Sequence, residues 1–314
     1  MYGTILQRIE FCREWFMARI PRLARLIAQI VPEDGGADTH YPGLSVFRTS
    51  QPTKPFAAEY HPSLCVVAQG SKQVAIGSQV VEYDADNYLV ASLSVPVEAR
   101  IVEASPARPL LALVLQLDLA EVSQLLLSLP NGQLDEDAST GQLALESSPM
   151  DERLKEALTR LLEASTNELE SQVLGPGIAR EVMFRILSGE QGQNLRRLAL
   201  RGGGSQRVAR AVQYLRDNYA EPLDIATIAK ATGVSPSTLQ HSFKAATSLS
   251  PIQYLKKLRL HQARVLMVTN GLNAGEAAFQ VGYGSPSQFS REFKRMFGQT
   301  PTAVVEGMRS GPHG

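Results

Sequence analysis

The period of apolar positions changes twice along this chain. Residues 4 to 31 keep a helical period, with Ile5, Ile9, Phe16, Ile20, Leu23 and Ile27 on one face and arginines between them, which predicts one amphipathic helix. Pro32 and Asp34-Gly35-Gly36 stop it. From about Leu44 to Leu117 the runs become short and β-like. Leu64–Gln69, Gln73–Ile76, Val80–Tyr83, Tyr88–Ala91, Val97–Val102 and Leu110–Leu117 are divided by turn residues, and Gly77-Ser78 signals a hairpin. Pro55, Pro62, Pro96 and Pro109 are expected between strands, where they cost no ladder bond. Many short strands in succession predict a barrel or double-sheet jelly roll. Helical spacing returns over 118–129 and 151–164, carried by Leu125, Leu129, Leu154, Leu158 and Leu161, and a third helix is expected from Pro176 to Leu187. Asn131-Gly132, Asp135-Glu-Asp137 and Gly141 make an acidic loop between the first two, and Gly202–Ser205 reads as a flexible linker before a helix from Val208 to Tyr219.

Beyond Asp224, a good N-cap, one pattern is written twice. Ala229-Lys-Ala-Thr-Gly233 precedes Ser235-Pro-Ser-Thr-Leu-Gln-His-Ser-Phe-Lys244, and Ala278-Phe-Gln-Val-Gly282 precedes Ser285-Pro-Ser-Gln-Phe-Ser-Arg-Glu-Phe-Lys294. Each copy predicts helix, turn, helix. The glycine suits a left-handed C-cap, the serine an N-cap, and the proline the first helical position. Leu239 with Phe243, and Phe289 with Phe293, recur at i, i+4 and are expected to face inward.

Ser237, Gln240, His241 and Lys244 are then expected outward in the first copy, with Ser287, Gln288, Arg291, Lys294 and Arg295 in the second. These side chains suit a major groove. Arg can grip guanine bidentately, Gln can grip adenine, and Lys and Arg hold phosphates. The plainer reading is a helical bundle with solvated charges, in which Arg291 pairs with Glu292 and His241 is only a polar surface residue. Two copies with the same Ser-Pro-Ser start disfavour it for the unit as a whole.

The run Ala278-Phe-Gln-Val-Gly-Tyr-Gly-Ser-Pro-Ser-Gln-Phe-Ser-Arg-Glu-Phe-Lys-Arg-Met-Phe-Gly-Gln-Thr-Pro301 resembles the DNA-binding domain of the AraC/XylS family of transcription regulators. The resemblance implies two units joined by a long helix, here from Pro251 to about Thr269, with the second helix of each unit in the major groove of promoter DNA. The first copy departs from the family pattern in carrying His241 where the second has Arg291.

Tyr60-His-Pro-Ser-Leu-Cys-Val-Val-Ala-Gln-Gly-Ser-Lys-Gln-Val and Tyr83-Asp-Ala-Asp-Asn-Tyr-Leu-Val-Ala are similar to the cupin-like N-terminal domain of one branch of AraC-type regulators. That implies effector sensing and dimerisation, with the leucine-rich helices after the barrel as a dimer seam; composition leaves open that they only cover a sheet. Tyr60, His61, Gln69, Lys72, Tyr83 and Tyr88 are polar groups that could line a pocket, although strand alternation should turn half of them outward. Cys65 could be a thiol sensor; a strand cysteine in an apolar run is more often buried and inert.

Charge separates the halves. Residues 196 to 314 carry 16 Lys or Arg and 6 Asp or Glu, against 15 and 25 in residues 1 to 195, so the zero net charge hides a basic half and an acidic one. Cys12 and Cys65 cannot make a disulfide framework and suggest a reducing compartment. Arginines interrupt any export signal, and no apolar run is long enough for a membrane span, so a cytoplasmic, nucleoid-associated protein is expected. His40, His61, His241, His261 and His313 include no His-x-His pair, and no cofactor or metal is expected.

These readings combine into an α+β chain: a helical segment over 1–40, a cupin-like β-barrel with flanking helices over 41–200, a linker at 201–206, and an all-α domain of two helix-turn-helix units over 207–314. The expected function is sequence-specific transcription regulation, not enzymatic, with double-stranded DNA, a small-molecule effector, a second copy of the chain and RNA polymerase as partners. Two rivals stay open: a cupin-type metal enzyme with a DNA-binding appendage, and an effector-free architectural protein whose barrel only dimerises.

Overall fold

The computed structural model describes residues 21–128, 144–189, 192, 195–196 and 204–309. Residues 1–20, the loop expected over 131–141, and residues 201–203 of the expected linker lie outside these, as do Cys12 and His313.

Within the span read as one N-terminal helix, helix α1 (Arg22–Ile30) begins only after Pro21, whose backbone is extended at φ −49° and ψ 142°. A single helix through residue 21 is therefore corrected; proline removes an N–H and sterically disfavours helix before it. Among the described residues, ten strands follow in two antiparallel sheets. Strands β1 (Gly35–Asp38), β2 (Leu44–Thr49), β4 (Ser63–Gln69), β7 (Asn87–Ala91), β9 (Leu110–Gln116) and β10 (Leu145–Pro149) form one sheet, in the order β1-β2-β9-β4-β7-β10. Strands β3 (Phe56–Tyr60), β5 (Ser71–Ile76), β6 (Gln79–Asp84) and β8 (Val95–Glu103) form the other, in the order β3-β8-β5-β6. The hairpin expected at Gly77-Ser78 joins β5 to β6, with Ile76 opposite Gln79.

The sheets face each other. Alternation sends Cys65, Val67, Leu89, Ala91, Leu110 and Ala112 inward between them, and Leu64, Val66, Val90, Leu111 and Leu113 outward under helices. That outer layer is α1, α2 (Leu119–Ser128), α3 (Glu152–Ala164) and α4 (Glu168–Ser188), which share a core through Leu23, Ile27, Leu158, Leu161, Val182 and Ile186.

Two local expectations are corrected. Pro96 lies inside β8, opposite Glu59, not between strands. The β5 ladder begins only at Glu98, so Pro96 is paired on one side alone, where its missing N–H costs no ladder bond. Helix α4 starts at Glu168, capped by the Asn167 side chain, and runs through Pro176 instead of starting there. The stop read at Pro32 and Asp34-Gly35-Gly36 holds, since α1 ends at Ile30, and Gly35 and Gly36 then enter β1 opposite Arg48 and Phe47.

The remaining helices form the carboxyl-terminal domain: α5 (Gly204–Asp217), α6 (Ile225–Thr232), α7 (Pro236–Thr247), α8 (Pro251–Thr269), α9 (Ala274–Gln280), α10 (Pro286–Phe297) and α11 (Pro301–Arg309). Helix α5 already begins at Gly204, inside the stretch read as linker. The caps are those the repeat predicted. Asp224 accepts from Thr227 N at 2.7 Å, Ser235 from Thr238 N at 3.2 Å and Ser285 from Gln288 N at 3.3 Å. Gly233 ends α6 at φ +69°. Ser250 and Gln253 form a capping box at the start of α8, the long helix joining the two units. Leu239, Phe243, Phe289 and Phe293 are all buried.

This domain packs on the outer face of the four-stranded sheet. Tyr254, Leu255 and Leu258 of α8 join the barrel core, and the Tyr254 hydroxyl donates to Ser94 O at 2.8 Å. Ala144 N donates to Ala246 O at 2.7 Å. At the hairpin tip, Gly77 sits at φ +59°, and a Cβ there would lie 2.6 Å from Ser248 O, so glycine serves both the turn and the seam.

Candidate nucleic-acid interface and barrel cavity

Helices α7 and α10 are set by the burial of one side of each. With Leu239 and Phe243 anchored inward, Ser237, Gln240, His241 and Lys244 are exposed on α7; with Phe289 and Phe293 anchored, Ser287, Gln288, Arg291, Lys294 and Arg295 are exposed on α10. Phe243 meets Tyr254 edge-on at 5.5 Å, and Phe293 meets Phe289 at 5.4 Å and Phe297 at 4.4 Å, which fixes the helix rotations.

Glu292 is taken up by three donors: Tyr283 Oη at 2.8 Å, Gln288 Nε2 at 3.1 Å and Lys256 Nζ at 3.1 Å. Among the described residues Glu292 pairs with Lys256 and not with Arg291, leaving the Arg291 guanidinium outside its ion pairs. These donors hold its carboxyl below the usual range although burial opposes them. Exposed cations on capped helix faces, with the adjacent acid already neutralised, can meet a polyanion.

Between the sheets lies a cavity of about 420 Å³, opening near Phe47 and Phe56. Tyr60, His61, Cys65, Lys72 and Tyr83 line it. The Tyr60 and Tyr83 hydroxyls are 3.2 Å apart, and Lys72 Nζ lies 5.2 Å from the centroid of the Tyr60 ring. Burial pushes the Tyr60 and Tyr83 phenols and the Cys65 thiol up. Ser63 Oγ is 3.7 Å from Cys65 Sγ. Burial opposes charge on Lys72, but Tyr60 and Cys65 favour it and the net direction is up. His61 is lowered, by burial first and Arg216 in addition, against the pull of Glu59.

Gln69 and Tyr88 lie elsewhere, which corrects the sequence expectation for both. The β4–β9 register slips between Val67 and Gln69, and Gln69 Nε2 donates to Pro109 O at 2.8 Å. Tyr88 alternates with the inward Leu89 and so packs in the core under the helices. Arg48 and Glu59 also line the cavity, and sequence reasoning missed both. No pattern in the chain marked Glu59: within β3 it alternates with Ala58 and Tyr60, so the strand period assigns it to the face opposite Tyr60. Among the described residues no three His, Cys, Asp or Glu side chains converge as a metal-ligand set.

A double-sheet barrel backed by helices, carrying a capped pair of helix-turn-helix units, defines a two-part regulator architecture. The model of the AraC-type transcriptional regulator N-terminus matches residues 40–194, and a helix-turn-helix domain model matches 228–307. The chain belongs to the AraC/XylS family of transcription regulators. It is 30% identical to the transcriptional activator RhaS of Citrobacter koseri over 193 residues, 60% of this chain and 64% of that protein. It is likewise 30% identical to RhaS of Escherichia fergusonii over 159 residues, 50% of this chain and 54% of that one. It thus spans about half to two thirds of these relatives. A histidine kinase P4 of Formosa agariphila shares 35% identity over 98 residues, 31% of this chain and 7% of the kinase. In fold, the chain is similar to ToxT of Vibrio cholerae solved with an unsaturated fatty acid bound, with TM-score 0.58 at 11% identity over 86% of this chain and 96% of that one.

Proposed function

We propose that this protein is a sequence-specific transcription regulator that sets α7 and α10 into successive major grooves of promoter DNA and answers to a small molecule in the barrel cavity. The observation that carries the reading is the pairing of buried anchors with exposed readers on both helices: Leu239 and Phe243 inside with Gln240 and Lys244 outside, Phe289 and Phe293 inside with Arg291 and Lys294 outside. Ser287, Gln288 and Arg291 read bases from the second unit, and Ser237, Gln240 and His241 from the first. Lys244, Lys294 and Arg295 hold phosphates.

The cavity supports the effector part of the reading, as does the fatty acid bound in ToxT, a protein of similar fold. The chain acts as a homodimer through α4, where Leu169, Val173, Leu174 and Phe184 are exposed. RNA polymerase is its partner at the promoter. The chain works on the nucleoid, in the cytoplasm. No helix among the described residues is long and apolar enough to cross a membrane.

The test is a fluorescence-anisotropy titration of the full chain on duplexes carrying its upstream promoter region and on scrambled duplexes. Preference for the promoter, with affinity falling on the order of a hundredfold between about 50 and 200 mM salt, is expected. Equal affinity for both duplexes, or binding indifferent to salt, rejects the reading.

A further inference from the structure

The charges around the barrel cavity are unevenly matched. Glu59 is paired with Arg216, and Arg48 Nε lies 3.6 Å from Asp34. His61 hydrogen-bonds Ser94 Oγ at 3.3 Å and is held toward its neutral form. Lys72 is different. Among the described residues it forms no ion pair with a carboxylate; its ammonium lies against the Tyr60 ring, beside Tyr83 and Cys65. Burial keeps both phenols and the thiol protonated at neutral pH, so these neighbours supply dipoles and a π face but no formal negative charge.

Half-buried and without a carboxylate partner, the Lys72 ammonium can pair with an anion delivered to it, and charge-assisted hydrogen bonds are strong in such a partly shielded place. The two tyrosine hydroxyls hydrogen-bond each other at 3.2 Å, and by rotating their O–H bonds out of that contact both can donate to one anion. The rest of the wall is largely apolar, with Ile101, Leu110 and Ala112 inside and Phe47 and Phe56, 41% and 39% exposed, at the mouth. One cation and two neutral donors match one negative charge. A phosphate dianion would be half-compensated and would leave the apolar walls unfilled.

We infer that the cavity takes a small monocarboxylate with an apolar body, its carboxylate held by Lys72 Nζ and the Tyr60–Tyr83 hydroxyl pair and its body lying toward Phe47 and Phe56. This rests on the effector reading above and narrows it to a chemical class.

The test is calorimetric titration of the full chain with phenylacetate and octanoate, beside methyl phenylacetate and phenethylamine as neutral and cationic counterparts. The acids are expected to bind at least about tenfold more tightly than the ester or the amine. Lys72→Met, which keeps the apolar stem, should remove that preference while leaving ester binding unchanged, and Tyr83→Phe should weaken the acids severalfold. A melting temperature in Lys72→Met at or above that of the parent chain shows that the barrel still folds. Acid and ester binding alike, or undiminished acid affinity in a folded Lys72→Met variant, overturns the carboxylate class while the effector reading stands. If no probe binds and none shifts DNA affinity, both fall.

Discussion

Arg216 of α5 and Glu59 of β3, 157 positions apart in the chain, form an ion pair that ties the helical domain to the barrel. Glu59 also lines the cavity, next to Tyr60. A single short strand thus carries a cavity wall and a hold on the DNA-binding domain. Arg264 Nη1 reaches the same strand, at Ala57 O, 3.4 Å away.

Cutting that tie should loosen the two domains from each other. Both side chains are largely shielded, at 24% and 14% exposure, so removing one leaves the other poorly compensated. Arg216→Ala is expected to cost about 1–3 kcal/mol of stability and to separate thermal unfolding into two steps. Differential scanning calorimetry checks it; a single unshifted transition would show that the seam holds without the pair.

Base reading by the second unit is most sharply tested at Arg291. Arg291→Ala should weaken binding to the cognate duplex by about 1–3 kcal/mol and relax one base position, whereas Lys294→Ala should weaken all sequences alike and lower the salt slope by about one. Titrations on single-base variants of the site separate the two. Uniform loss in Arg291→Ala would reassign it to phosphate contact.

The pH response of the second unit follows from His261. It is buried on α8, edge-on to Phe297 at 5.6 Å, with Nε2 unpartnered and Arg264 and Lys257 adding positive potential. Burial first, then these cations, bring its pKa from 6.5 down to about 3. The neutral ring's stability is complete above 6.5 and is lost as pH falls toward 3, since the unfolded chain takes up the proton first. One proton corresponds to about 1.4 kcal/mol per pH unit in that window. Urea unfolding between pH 7 and 5 should show the slope, and His261→Leu should flatten it.

Gly282 follows the helix before α10 at φ +85°, where an added Cβ would lie 2.3 Å from Ala220 O. Ala220 belongs to the turn after α5, so backbone would have to move. Gly282→Ala should cost about 1–3 kcal/mol and weaken DNA binding through the misplaced second unit. Gly284→Ala, with open space around it, is the control and should be near neutral in both assays.

Much of this was legible before any coordinates. The caps at Asp224, Ser235 and Ser285, the joining helix from Pro251 and the Gly77-Ser78 hairpin are local effects of backbone geometry and side-chain reach, and the structure has them where the pattern put them. Strand β10 was not legible, because Leu145–Pro149 is a strand only by pairing with β7. Gln69 misled because a one-residue slip in the β4–β9 ladder turned it away, and such a slip leaves no mark in alternation.

By itself, then, the order of residues decided the double helix-turn-helix and the existence of a barrel, since periods of two and of 3.6, capping chemistry and positive-φ glycines act over a few neighbours. Tertiary structure alone decided which polar strand residues enclose Lys72, and that Glu59 meets Arg216. Those choices depend on how two sheets stack and on which face of one sheet the helical domain buries. Contacts between distant segments are fixed by packing of whole surfaces, for which no local pattern in the chain is a proxy.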